Sequence, residues 1–189
     1  MNAFDDWRER EWSNLSVAVA MAWLAFYVLF LLHAASNQTG FLFVDNANLV
    51  VHEAGHLLFG WFGETLGLLG GTLFQLIVPL ALAVSFAYRK QTTGLVFCAF
   101  FFFENFLYIA TYMADARSQE LPLVSVGGGD AVDHDWYRIF SGLGVLQHDT
   151  YIAAVVRVLG WIGMLATVGW LVWQARIHAR SQPARAASI

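Results

Sequence analysis

The sequence predicts an all-α fold, a polytopic membrane helix bundle of about five transmembrane helices with one long extramembrane loop. Three observations carry this expectation. The chain is 58% hydrophobic, and its 13% of charged residues compares with about 25% in an ordinary soluble domain. Apolar runs near the length of a spanning helix recur along it. A single sizeable polar stretch, residues 114–149, interrupts them and is too short for a second domain, so residues 1–189 read as one domain.

The first run covers residues 15–33. It is long for a signal-peptide core, and Asp5, Asp6, Glu9 and Glu11 make a poor basic flank, so it reads as a retained anchor, with Ala34-Ala35-Ser36 as the alternative cleavage point. The second run, 41–62, is unusually polar at Asp45, Asn46 and Asn48; besides crossing, it has the alternative of re-entering and being shielded by other helices. The third, fourth and fifth runs cover 71–88, 93–113 and 150–174. Within the polar stretch, Gly127-Gly128-Gly129 marks a turn, and residues 136–146 suit a short helix on the membrane surface. The tail, 176–189, is expected to be poorly ordered.

Five crossings put the amino terminus and the long loop on one face. Arg89, Lys90, Arg176, Arg180 and Arg185 fall on the other, against Arg8, Arg10, Arg117 and Arg138; the tail face is assigned to the cytoplasm. The expected location is a bacterial inner membrane, with the lipid bilayer as the first partner. A net charge of -4 offers no basic surface, which argues against nucleic acid as a partner. Cys98 is the only cysteine, so the chain has no internal disulfide and no multi-cysteine metal site; it reads as a small hydrophobe in a helix. The oligomeric state is left open.

The chemistry sits in the second run, at His52-Glu53-Ala54-Gly55-His56. On a helix the two imidazoles project from one face and can bind one metal ion, and Glu53 can take a proton from a water on that ion. Ionisable groups are costly in lipid, so such a cluster points to function. A catalytic zinc takes three protein ligands. By rise per residue, His52 and His56 lie roughly 16 and 22 Å along their segment, Glu104 roughly 16 Å along the fourth, and Asp115 roughly 33 Å. Glu104 and Asp115 are therefore the third-ligand candidates, with Asp133, His134, Asp135, His148 and Asp149 as loop alternatives. Tyr108 could stabilise an oxyanion or simply pack, Asn105 could support the site or join helices, and Arg157 could meet developing negative charge or snorkel to headgroups. Gln75 and Pro79 could open the third helix or merely kink it, and Gly55, Gly60, Gly63, Gly67, Gly70 and Gly71 permit close helix approach.

His-Glu-Ala-Gly-His in a hydrophobic helix resembles the active site of membrane zinc metalloproteases, the site-2 protease group in style. The resemblance implies Zn2+ on His52 and His56 with Glu53 as general base. It covers the motif helix alone. Site-2 proteases take their third ligand from a later Asn-Pro and Leu-Asp-Gly signature that this chain lacks, although Asn105 and Asp115 occur on its fourth run. A downstream glutamate resembles the gluzincin arrangement instead, with Glu104 in that role. The leading expectation is an integral-membrane zinc hydrolase, an intramembrane metalloprotease acting on a membrane protein. The alternatives are a zinc hydrolase of lipid amides or esters, and a non-enzymatic metal- or haem-binding membrane protein.

Overall fold

The computed structural model describes residues 3–121 and 134–186, and the described residues are helical with no strand. In chain order the helices are α1 (Ala3–Glu9), α2 (Val17–Ser36), α3 (Asp45–Phe59), α4 (Glu64–Tyr88), α5 (Thr92–Ala114), α6 (Asp135–Gly142) and α7 (Asp149–Ala186), with 3₁₀ turns at Gly60–Phe62 and Leu146–His148. Among the described residues four helical stretches are long and apolar enough to cross a membrane: α2, α4, α5, and Leu146–Ala179, which takes in most of α7.

The second expected crossing differs. Its helix, α3, has 15 residues and spans about 22 Å, short of the ~30 Å hydrocarbon core. Asp45, Asn48 and His52 on its buried side lower its apolar content, and the chain turns at Gly63, whose φ of 108° suits glycine. The tail also differs: α7 continues through Ala186, because no glycine follows Gly169 and the one proline of this helix, Pro183, stands near its end. Gly127, Gly128, Gly129 and Asp133 lie outside the described residues.

The chain divides into two compact units, and α4, α5 and α7 each contribute to both. One unit comprises residues 1–36, 79–101 and 163–189. Its core is aromatic: Tyr27 of α2 lies between Trp23, stacked at 5.7 Å, and Phe100 of α5 at 4.6 Å, and Phe30 meets Phe100 edge-on at 5.4 Å. The segment after α1 binds the turn between α4 and α5. The Trp7 indole donates to Tyr88 O at 3.0 Å, Ser13 N–H donates to Lys90 O at 2.7 Å, and Lys90 Nζ stands 3.9 Å over the Trp7 ring.

The other unit comprises residues 37–78 and 102–162. Its apolar core joins Ile109, Ala110 and Met113 of α5 to Trp136 and Phe140 of α6 and Ala153 of α7. The surface helix expected over 136–146 is thus an eight-residue helix held by two buried aromatic side chains. Asp149, fully buried, starts α7 by accepting from Thr150 N–H at 2.7 Å and pairing with Arg117 at 2.9 Å.

Candidate metal centre

The centre is assembled within the second unit from α3, α4, α5 and α6. Residues 45, 48, 52 and 55 recur at helical spacing and form the buried side of α3. Small residues bring α4 against that side. A Cβ on Gly70 would lie 2.7 Å from Gly55 O, and a Cβ on Gly71 would lie 2.5 Å from His52 Nε2. Glycine at 71 therefore makes room for the imidazole.

Each imidazole is held at both nitrogens. His52 Nδ1 lies 3.1 Å from Gln75 Oε1, and His56 Nδ1 lies 2.8 Å from Gly67 O. A carbonyl oxygen only accepts, so the His56 ring proton sits on Nδ1, and the Gln75 oxygen sets His52 the same way. Both Nε2 atoms then turn inward, and each lies 3.1 Å from Asp135 Oδ2. Ligand atoms of His52, His56 and Asp135 all lie within 4.8 Å of one another. Three such atoms converging in a buried place are bridged by a proton on either Nε2 or by a metal ion between them. Two imidazole nitrogens and a carboxylate oxygen could hold a metal ion there, with the outer nitrogens anchored by Gln75 and Gly67 O.

Asp135 owes its position to its neighbours. His134, before α6, accepts Tyr137 N–H at Nδ1 over 3.3 Å and turns Nε2 toward Asp115 Oδ2 at 3.4 Å. The Tyr112 ring packs on His134 at 4.3 Å, and its hydroxyl accepts Asp135 N–H at 3.2 Å. Arg138 of α6 forms an ion pair with Glu64 of α4. Burial pushes the Asp135 carboxyl up, but the two imidazoles beside it outweigh burial and hold it below the usual carboxylate range. For His134 burial prevails over the pull of Asp115 and Asp135, which keeps the ring below its ordinary pKa and neutral.

Glu53 follows His52 directly and is half-buried, close enough to both imidazoles and to Asp135 to feel their charge. Tyr108 and Tyr112 flank His52 with ring centroids at 6.5 and 5.8 Å.

The structure does not bring the two sequence-favoured third ligands to the histidines. Glu104 is 0% exposed, but its Oε2 accepts from Asn48 at 3.0 Å and its carboxyl meets Asp45. It faces α3 one helical turn before His52, because the first turn of α3, at Asp45 and Asn48, lies beside the middle of α5 rather than beside its start. Asp115 is committed to the turn after α5. It accepts from the Ser118 hydroxyl at 2.7 Å and from Glu120 and Leu121 N–H at 2.8 and 3.1 Å. Burial pushes this carboxyl up, yet those donors outweigh it and hold it below the usual carboxylate range. Arg157 donates to Thr111 Oγ1 at 3.3 Å and takes no part in the cluster.

Asp135 is one of the loop alternatives, and the clustering of Asp133, His134 and Asp135 is its only signal in the sequence. Gln75 was visible only as a polar residue in an apolar run. Gly67 O and Tyr112 had no signal: a backbone carbonyl is silent in sequence, and a tyrosine in an aromatic-rich helix looks like packing. No family model, curated protein or solved structure matches this chain.

Proposed function

We propose that this chain is an integral-membrane zinc-dependent hydrolase, an intramembrane metalloprotease that cuts peptide bonds. The observation that supports the reading is the convergence of His52 Nε2, His56 Nε2 and Asp135 Oδ2 beside Glu53. Zinc held there supplies Lewis acidity toward a water and a scissile carbonyl. Glu53 takes the proton of the attacking water and delivers it to the leaving amine. Gln75 and Gly67 O keep the imidazoles oriented through Nδ1, while Tyr112 and His134 seat the carboxylate. The Tyr108 ring stands beside His52, and in this reading it lines the bound substrate.

Glu53→Gln separates an enzyme from a structural metal protein. The purified variant retains zinc at the wild-type ratio and loses hydrolysis by about 10²–10⁴-fold, the range for removal of a general base. Full activity in Glu53→Gln overturns the proposal.

A further inference from the structure

The hydrogen bonds around the turn between α4 and α5 bear on how many times the chain crosses the membrane. Trp7 Nε1 donates to Tyr88 O, and Ser13 N–H donates to Lys90 O. Trp12 packs against Trp170 of α7 with ring centroids 5.0 Å apart. The segment before α2, the turn between α4 and α5, and the later part of α7 therefore belong to one membrane face. A chain that leaves this face at α2 and is back on it at Tyr88 has crossed an even number of times. Between those points lie α2, α3 and α4, and α2 and α4 have spanning length. By parity α3 does not cross.

The surface of α3 agrees. Its outward side carries Phe43, just before the helix, with Val50 and Leu57, all well exposed, while Asp45, Asn48 and His52 face inward. A helix in water has the opposite polarity; apolar outside and polar inside is what hydrocarbon favours. The lead-in from α2 is tied to the last turn of α5, where Thr111 Oγ1 donates to Gly40 O at 3.0 Å.

We infer that α3 is a re-entrant helix which enters and leaves the bilayer by one face, so that both termini lie in the cytoplasm and the His52–His56–Asp135 centre opens on the opposite, exoplasmic face. This places the amino terminus opposite the long loop, where five crossings would have put them together. Arg8, Arg10, Arg89, Lys90, Arg176, Arg180 and Arg185 now share the face of the termini, and only Arg117 and Arg138 lie in the loop opposite. Seven basic residues against two replace a near balance and assign the terminal face to the cytoplasm. His56 and Glu53 are half-buried while His52 is buried, so the centre is approached from the His56 end of α3. Resting on the protease reading, the inference names the substrate as polypeptide exposed at the exoplasmic half of the membrane.

Single cysteines in a Cys98→Ala background, in the full chain in intact cells, test this with a membrane-impermeant maleimide. Ser141→Cys in α6 labels in intact cells as fully as after lysis, whereas Glu9→Cys and Arg89→Cys label only after lysis. Labelling of Glu9→Cys and Arg89→Cys on opposite faces makes α3 a crossing helix and overturns the inference. Labelling of both in intact cells with Ser141→Cys protected overturns the assignment of faces. Reporters fused to each terminus give a second reading free of substitution: both report cytoplasm, and an external signal from either contradicts the topology. Zinc content of the same preparations is read separately, so loss of the protease reading and loss of the topology are told apart.

Discussion

The two units differ in the polar side chains they bury beside their apolar cores. In one, Tyr27, Phe30 and Phe100 fill the interior, and buried polar groups such as Lys90 and Thr92 stand at a helix turn. In the other, Asp45, Asn48, His52, Gln75, Glu104, Asp115, His134 and Asp135 are buried along and beside the helices. Burying such groups costs free energy that aromatic packing avoids, and breaking buried polar pairs is strongly destabilising. Thr167 and Gln174 are also buried in the first unit, but among the described residues every buried carboxylate and imidazole lies in the second.

Substitutions on the two sides should therefore fail differently. The largest effect is expected at Asp135. Asp135→Ala removes the carboxylate between the two imidazoles, and zinc content and hydrolysis both fall to background; retention of stoichiometric zinc would assign the third ligand elsewhere. Gln75→Leu comes next. It removes the acceptor at His52 Nδ1, and zinc affinity drops by about 10–100-fold, as measured by chelator competition. In the aromatic unit, Phe100→Ala creates a cavity beneath Tyr27 and costs about 3–5 kcal/mol in denaturation of the purified protein, with zinc stoichiometry unchanged. Loss of zinc from Phe100→Ala under native conditions would erase the distinction between the units.

The smallest effect concerns acid. The Asp115 carboxyl is depressed in the folded state, so its contribution is present above the unfolded value, about 3.9, and is lost as pH falls through its lower folded value. Asp115→Asn lowers stability at neutral pH and flattens the acid limb of a melting-temperature profile. An unchanged acid limb would show that the turn at Ser118, Glu120 and Leu121 does not depend on the charge.

The four long helices were legible because uninterrupted apolar runs have few other solutions. Expected runs at 71–88 and 93–113 became α4 and α5 with ends moved by at most seven residues. The histidine pair was legible because two residues one turn apart share a face whatever surrounds them. The third member of the cluster was not. Asp135 lies 83 positions from His52 and arrives on a short helix seated by Trp136 and Phe140, a long-range docking that no periodicity encodes. Glu104 answered the same arithmetic as a ligand would, but α3 starts beside the middle of α5 rather than level with its start, which puts Glu104 against Asn48. The polar start of α3 at Asp45, Asn46 and Asn48 did carry its message in sequence, as the one run that departs from a plain spanning helix.

Metal analysis of the purified protein tests the central claim most directly, with wild type, His52→Ala and His56→Ala compared at matched folding by circular dichroism. One zinc per chain in wild type and none in either variant is the predicted result. Equal zinc in all three, or none in wild type after growth and purification with zinc supplied, would contradict a metal held between His52, His56 and Asp135.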